Sequence, residues 1–75
     1  MKLSEARARR LLSVRKLAEA AGVAPATVYH IEHAKTSPSF RAIRDLSAAL
    51  DMDPLDIDEF AGVIEGTGAG KAVAA

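Results

Sequence analysis

The sequence predicts an all-α protein, a compact single domain of five short helices. Three observations carry that expectation. Apolar residues recur at the i, i+3, i+4 and i+7 spacing of one helix face from Val14 and again from Ile57, and more loosely from Phe40. Serine, proline and glycine stand at the joints between these segments, where helices begin and end. A chain of 75 residues buries enough apolar surface for one core and not for two.

The elements follow in order. The first helix is expected from about Ser4 to Leu11, a stretch of good helix formers, with Ser4 as its N-cap and Leu3, Ala6 and then Leu12 facing inward. Ser13 caps the second, whose Val14, Leu17, Ala18 and Ala21 form one apolar face. That helix stops at Gly22, which can turn left-handed without a Cβ clash. The third restarts with Ala24 near the cap and Pro25 at the first helical position, and Val28 and Ile31 face inward. After the connection HAKTSPS, Ser39 caps a fourth helix with a stripe of Phe40, Ile43, Leu46 or Ser47, and Leu50. Asp53, Pro54 and Asp56 mark the start of a fifth, in which Ile57, Phe60, Ala61 and Ile64 repeat the i, i+3, i+4 and i+7 spacing. The domain is expected over residues 1–64. The remaining 65–75, EGTGAGKAVAA, reads as a loose tail that cannot repay the entropy of ordering.

Composition narrows the function. Cysteine is absent, so disulfides and thiolate metal sites are excluded. A lone core below roughly 70 to 80 residues supplies only about 3 to 5 kcal/mol, so self-association is the expected supplement. No apolar run approaches the roughly 20 residues that span a bilayer, and a cytoplasmic protein with no membrane partner is expected. The formal net charge is zero, but it is divided unevenly along the chain. From Met1 to Arg44 nine basic residues face Glu5, Glu19 and Glu32, a net of +6; from Asp45 onward seven acids face Lys71 alone, a net of −6. That asymmetry points the first part toward a polyanion and the second away from it.

The second and third helices, separated by a glycine corner, describe a helix-turn-helix. Here the sequence resembles the Cro/repressor-type, or Xre-like, helix-turn-helix family. The matching residues are Arg7, LSVRKLAEAAGVAPATVYHIE from Leu12 to Glu32, and KTSPSFRAIRDLSAALDMDPLDI from Lys35 to Ile57. The resemblance covers roughly residues 3 to 60. It implies a lambda-repressor-like five-helix domain that binds double-stranded DNA, usually as a homodimer on a partly palindromic operator, with the third helix in the major groove.

Carried over by position, the resemblance implies Pro25, Ala26, Thr27, Tyr29 and His30 as the exposed residues of the reading helix. Thr27 and His30 can hydrogen-bond to base edges, and Ala26 can offer a methyl contact to thymine. Glutamine often opens the second and third helices of this family, and here Val14 and Pro25 stand instead, so specificity is expected to lean on Thr27, His30, apolar contacts and DNA shape. The family often pairs an arginine of the first helix with a glutamate ending the third; Arg7 and Glu32 hold those positions, as a structural brace. Phosphate contacts need only positive charge or donors at the groove edge, and Arg15, Lys16, Lys35, Thr36, Arg41 and Arg44 are the candidates. Leu55, Ile57, Phe60, Val63 and Ile64 form a candidate dimer surface; the alternative is that they close the monomer's own core.

Other chemistries find little support. His30 and His33 lie three apart, yet two ligands without a third make no metal site. The acids of DMDPLDIDE break at Leu55 and lack the glycine of a calcium loop. GTGAGK misses the spacing and hydroxyl residue of a phosphate loop. No spacing joins a nucleophile, a base and an orienting acid, so no enzyme, cofactor or small-molecule effector is expected. Two other roles stay open: an antitoxin-like module whose protein partner meets the acidic half, and a controller-type activator of a restriction system; with no effector, an antirepressor is a further expected partner that would relieve repression.

Overall fold

The computed structural model describes residues 1–66, which fold into α1 (Leu3–Arg9), α2 (Val14–Ala21), α3 (Pro25–Glu32), α4 (Phe40–Leu50), a 3-10 turn at Pro54–Asp56 and α5 (Asp58–Gly66). The described residues contain no strand. Local caps start two of the helices. The Ser13 hydroxyl accepts from the Lys16 N–H at 3.0 Å and the Ser39 hydroxyl from the Ala42 N–H at 3.1 Å, each satisfying a donor that the first helical turn leaves free. α3 starts as expected from Ala24, with Pro25 in its first turn.

α1 departs from the sequence reading at both ends. It begins at Leu3 rather than Ser4, because its cap comes from a distant helix: the Leu3 N–H donates to Glu59 Oε1 of α5 at 2.8 Å. It ends at Arg9 rather than Leu11, because the chain turns left-handed at Leu11, φ 58°, and the Leu12 N–H closes onto the Arg7 carbonyl at 3.1 Å. Leu11 is left almost wholly in solvent, at 93% exposure.

The fifth element also differs. Asp53 and Pro54 open a separate 3-10 turn, capped by the Asp53 carboxylate, which accepts from the Leu55 N–H at 2.9 Å. Ile57 then runs extended before α5 begins at Asp58. α5 continues through Glu65 and Gly66, two residues that composition assigns to the tail; the rest of that tail lies outside the described residues.

The core joins Leu3 and Ala6 of α1, Leu17 and Ala18 of α2, Val28 and Ile31 of α3, Ile43, Leu46 and Leu50 of α4, and Ile57 and Phe60 at the end of the chain's path. Ile57 and Phe60 have no exposed surface, and each contributes about 1.5 to 3 kcal/mol by leaving water. They therefore close the monomer core and are removed from the candidate dimer surface, where Leu55 is exposed and Val63 and Ile64 are half-buried. Phe40 is corrected as well. At the first position of α4 it has no preceding turn to lie against, and it stays 54% exposed while Ile43, Leu46, Ser47 and Leu50 turn inward.

Candidate nucleic-acid interface

The corner between α2 and α3 is set by Gly22, whose φ of 72° lies in the left-handed region. The Val23 N–H returns to the Ala18 carbonyl at 3.0 Å and the Gly22 N–H to the Glu19 carbonyl at 3.3 Å, so the end of α2 is satisfied within the turn. α3 then packs Val28 and Ile31 inward. Its opposite side carries Ala26, Tyr29, His30 and His33 at i, i+3, i+4 and i+7, all exposed, with Pro25 exposed ahead of them. Thr27 lies at the edge of this face and is half-buried.

The rings of that face touch one another. Tyr29 and His33 stack with centroids 4.0 Å apart and planes 25° apart, and His30 meets Tyr29 edge-on at 6.0 Å. The His33 ring nitrogen Nδ1 lies 2.9 Å from the Tyr29 carbonyl oxygen. Sequence reasoning considered His33 only as a metal ligand, although ring residues four apart on a helix are neighbours in space. No group of three or more metal-ligating side chains occurs among the described residues.

Behind α3 the structure brings Arg7 and Glu32 together. Arg7 Nε donates to Glu32 Oε2 at 2.8 Å and Nη2 to Oε1 at 3.2 Å, a two-pronged pair, while Nη1 donates to the Leu12 carbonyl at 2.9 Å. The Glu32 side chain is 6% exposed. Hydrogen bonding to Glu32 raises the Arg7 pKa above its already high ordinary value; burial opposes the shift and the charge of Glu32 adds to it. One guanidinium thus ties α1, the α1–α2 loop and the end of α3.

The basic candidates lie on α2, in the loop after α3 and on α4. Arg15, Lys16, Lys35 and Thr36 are exposed. Lys16 approaches Glu19 at 3.8 Å. Arg41 and Arg44 both lean on one carboxylate, Asp45, at 3.9 and 3.4 Å. Contacts so long and so exposed leave the guanidinium groups in water and available. The composition reading counts Asp45 with the acidic half, yet it lies against two of the basic residues. Arg10, assigned no role from sequence, donates from Nε to the Leu50 carbonyl at 2.8 Å and from Nη2 to the Asp51 carbonyl at 3.3 Å, so it caps the far end of α4. Nothing local signals that contact, because its partners lie about forty positions away.

A family profile described as helix-turn-helix matches residues 3–57, from the start of α1 through the 3-10 turn. The chain belongs to the helix-turn-helix family. The match is to the Xre/Cro type, so this helix-turn-helix protein is a DNA-binding transcription regulator. No curated protein and no solved structure matches it. Among the described residues of the helix-turn-helix protein, no helix is long and apolar enough to cross a membrane.

Proposed function

We propose that the protein is a cytoplasmic repressor that binds a partly palindromic operator as a homodimer. The observation that carries this reading is the outward face of α3, which is exposed, makes no core contact and belongs to a helix held from behind by Arg7 and Glu32, with exposed cations on α2, on α4 and in the loop after α3. Ala26, Thr27, Tyr29 and His30, with Pro25 ahead of them, read base edges in the major groove. Arg15, Lys16, Lys35, Thr36, Arg41 and Arg44 bind phosphates and set the register. The second copy docks through Leu55, Val63 and Ile64. Two reading helices about 34 to 36 Å apart then occupy successive major grooves, and their presence blocks polymerase.

Selection of bound duplexes from a random library at about 150 mM salt tests the reading, because that salt suppresses purely electrostatic binding. The expected result is a palindromic motif with half-sites roughly one helical turn apart. A pool with no enriched motif would sink the sequence-reading proposal, and light scattering that finds only monomer at every concentration would remove the dimer. Repeating the selection with Thr27→Ala and His30→Ala is expected to change the preferred bases; an unchanged motif would remove those two from the reading set.

A further inference from the structure

His33 is the last residue of the exposed stripe on α3, one turn beyond Tyr29 and at the helix's C-cap. Its geometry fixes the state of its ring. The Tyr29 carbonyl can only accept, so the hydrogen lies on Nδ1, which donates to it at 2.9 Å. In the neutral ring Nε2 is then a lone pair, which a phosphate oxygen repels. Adding one proton converts the same atom into a donor and places a positive charge at the end of α3, where the helix dipole favours a cation. The stack on Tyr29 at 4.0 Å holds the ring in that orientation, and the electron-rich phenol face suits an imidazolium.

The surroundings leave this site open. On its own helix the ring meets Tyr29; Glu32, its neighbour in sequence, is turned to Arg7 of α1. Lys35 follows in the loop, exposed like His33. Among the described residues no ion pair includes His33, and its polar and ring contacts are those to Tyr29.

We propose that His33 binds a DNA phosphate as an imidazolium, with Nδ1–H held by the Tyr29 carbonyl and Nε2–H given to the phosphate oxygen, so that each protomer takes up one proton when it binds. The proton comes from solvent and no covalent bond to the protein changes. The inference rests on the DNA-binding reading of the outward α3 face, and it adds to the set of cations a contact that switches with pH.

Fluorescence anisotropy with a labelled mixed-sequence duplex tests it, since a phosphate contact acts on any sequence. At constant ionic strength the affinity of the unaltered chain is expected to rise about ten-fold from pH 8 to pH 6, across the range in which imidazoles titrate. The slope of log affinity against log salt is expected to steepen by about 0.9 for each bound protomer at the lower pH, the signature of one more neutralised phosphate per protomer. His33→Gln loses both responses, and His33→Lys binds at pH 8 as tightly as the unaltered chain binds at pH 6. Binding with a pH response that survives in His33→Gln would overturn this inference alone. No binding of any duplex at either pH would overturn the DNA reading of the α3 face and this inference with it.

Discussion

Arg7 shows how much one side chain decides. Its guanidinium fork fills both oxygens of a carboxylate that is nearly out of water, so deleting it strands a buried charge. Arg7→Ala is expected to cost about 3 kcal/mol in urea denaturation, much of the margin of a domain this small. Arg7→Lys recovers only part of it, because an ammonium cannot match the two-oxygen geometry. Folding favours the protonated Arg7, since its pKa is raised in the folded chain. That stabilisation is complete below the unfolded-state pKa and is lost only as pH rises through the still higher folded value. The loss in Arg7→Ala is therefore expected to be the same at about pH 6 and about pH 9, a range that lies wholly below both values. This brace is legible in sequence only through the family resemblance, because residues 25 positions apart give no local sign of contact. The outward set on α3 is legible directly, as the complement of the inward Val28 and Ile31.

At the scale of elements, the ends of the helices divide into those the sequence advertises and those it conceals. Ser13, Gly22, Pro25 and Ser39 act locally, and each stands where its chemistry places it. The start of α1 was hidden because Glu59 supplies the cap from another helix. The end of α1 is concealed because Leu11 adopts the left-handed turn at φ 58° without being glycine; Ala34 and Asp51, just beyond α3 and α4, do the same at 56° and 55°. Such residues are disfavoured there, by about 1 kcal/mol or more for side chains that cannot bond locally. Leu11 has little to lose, being almost fully exposed. Leu11→Gly is accordingly expected to raise the midpoint of thermal unfolding, with a gain of about 1 kcal/mol. The same change at Leu12, which packs against the core, lowers it.

Over the whole molecule the division of charge is less clean than the composition suggests. Asp45 opens the acidic half of the sequence but lies against Arg41 and Arg44 of the basic half. Asp45→Asn is expected to strengthen binding to every duplex and steepen its salt dependence, while Arg41→Ala weakens all sequences together and lowers the slope by about 1. Gel-shift titrations at several salt concentrations measure both. The molecule also keeps its architecture and its outward face on separate residues. Val28, Ile31 and Glu32 hold α3 to the body, whereas Ala26 and His30 support no part of the core. The face is in effect an interchangeable type block clamped in a fixed press. Its letters can be reset as a group while the clamp stays closed, so new target preferences are reachable along a path in which every intermediate still folds.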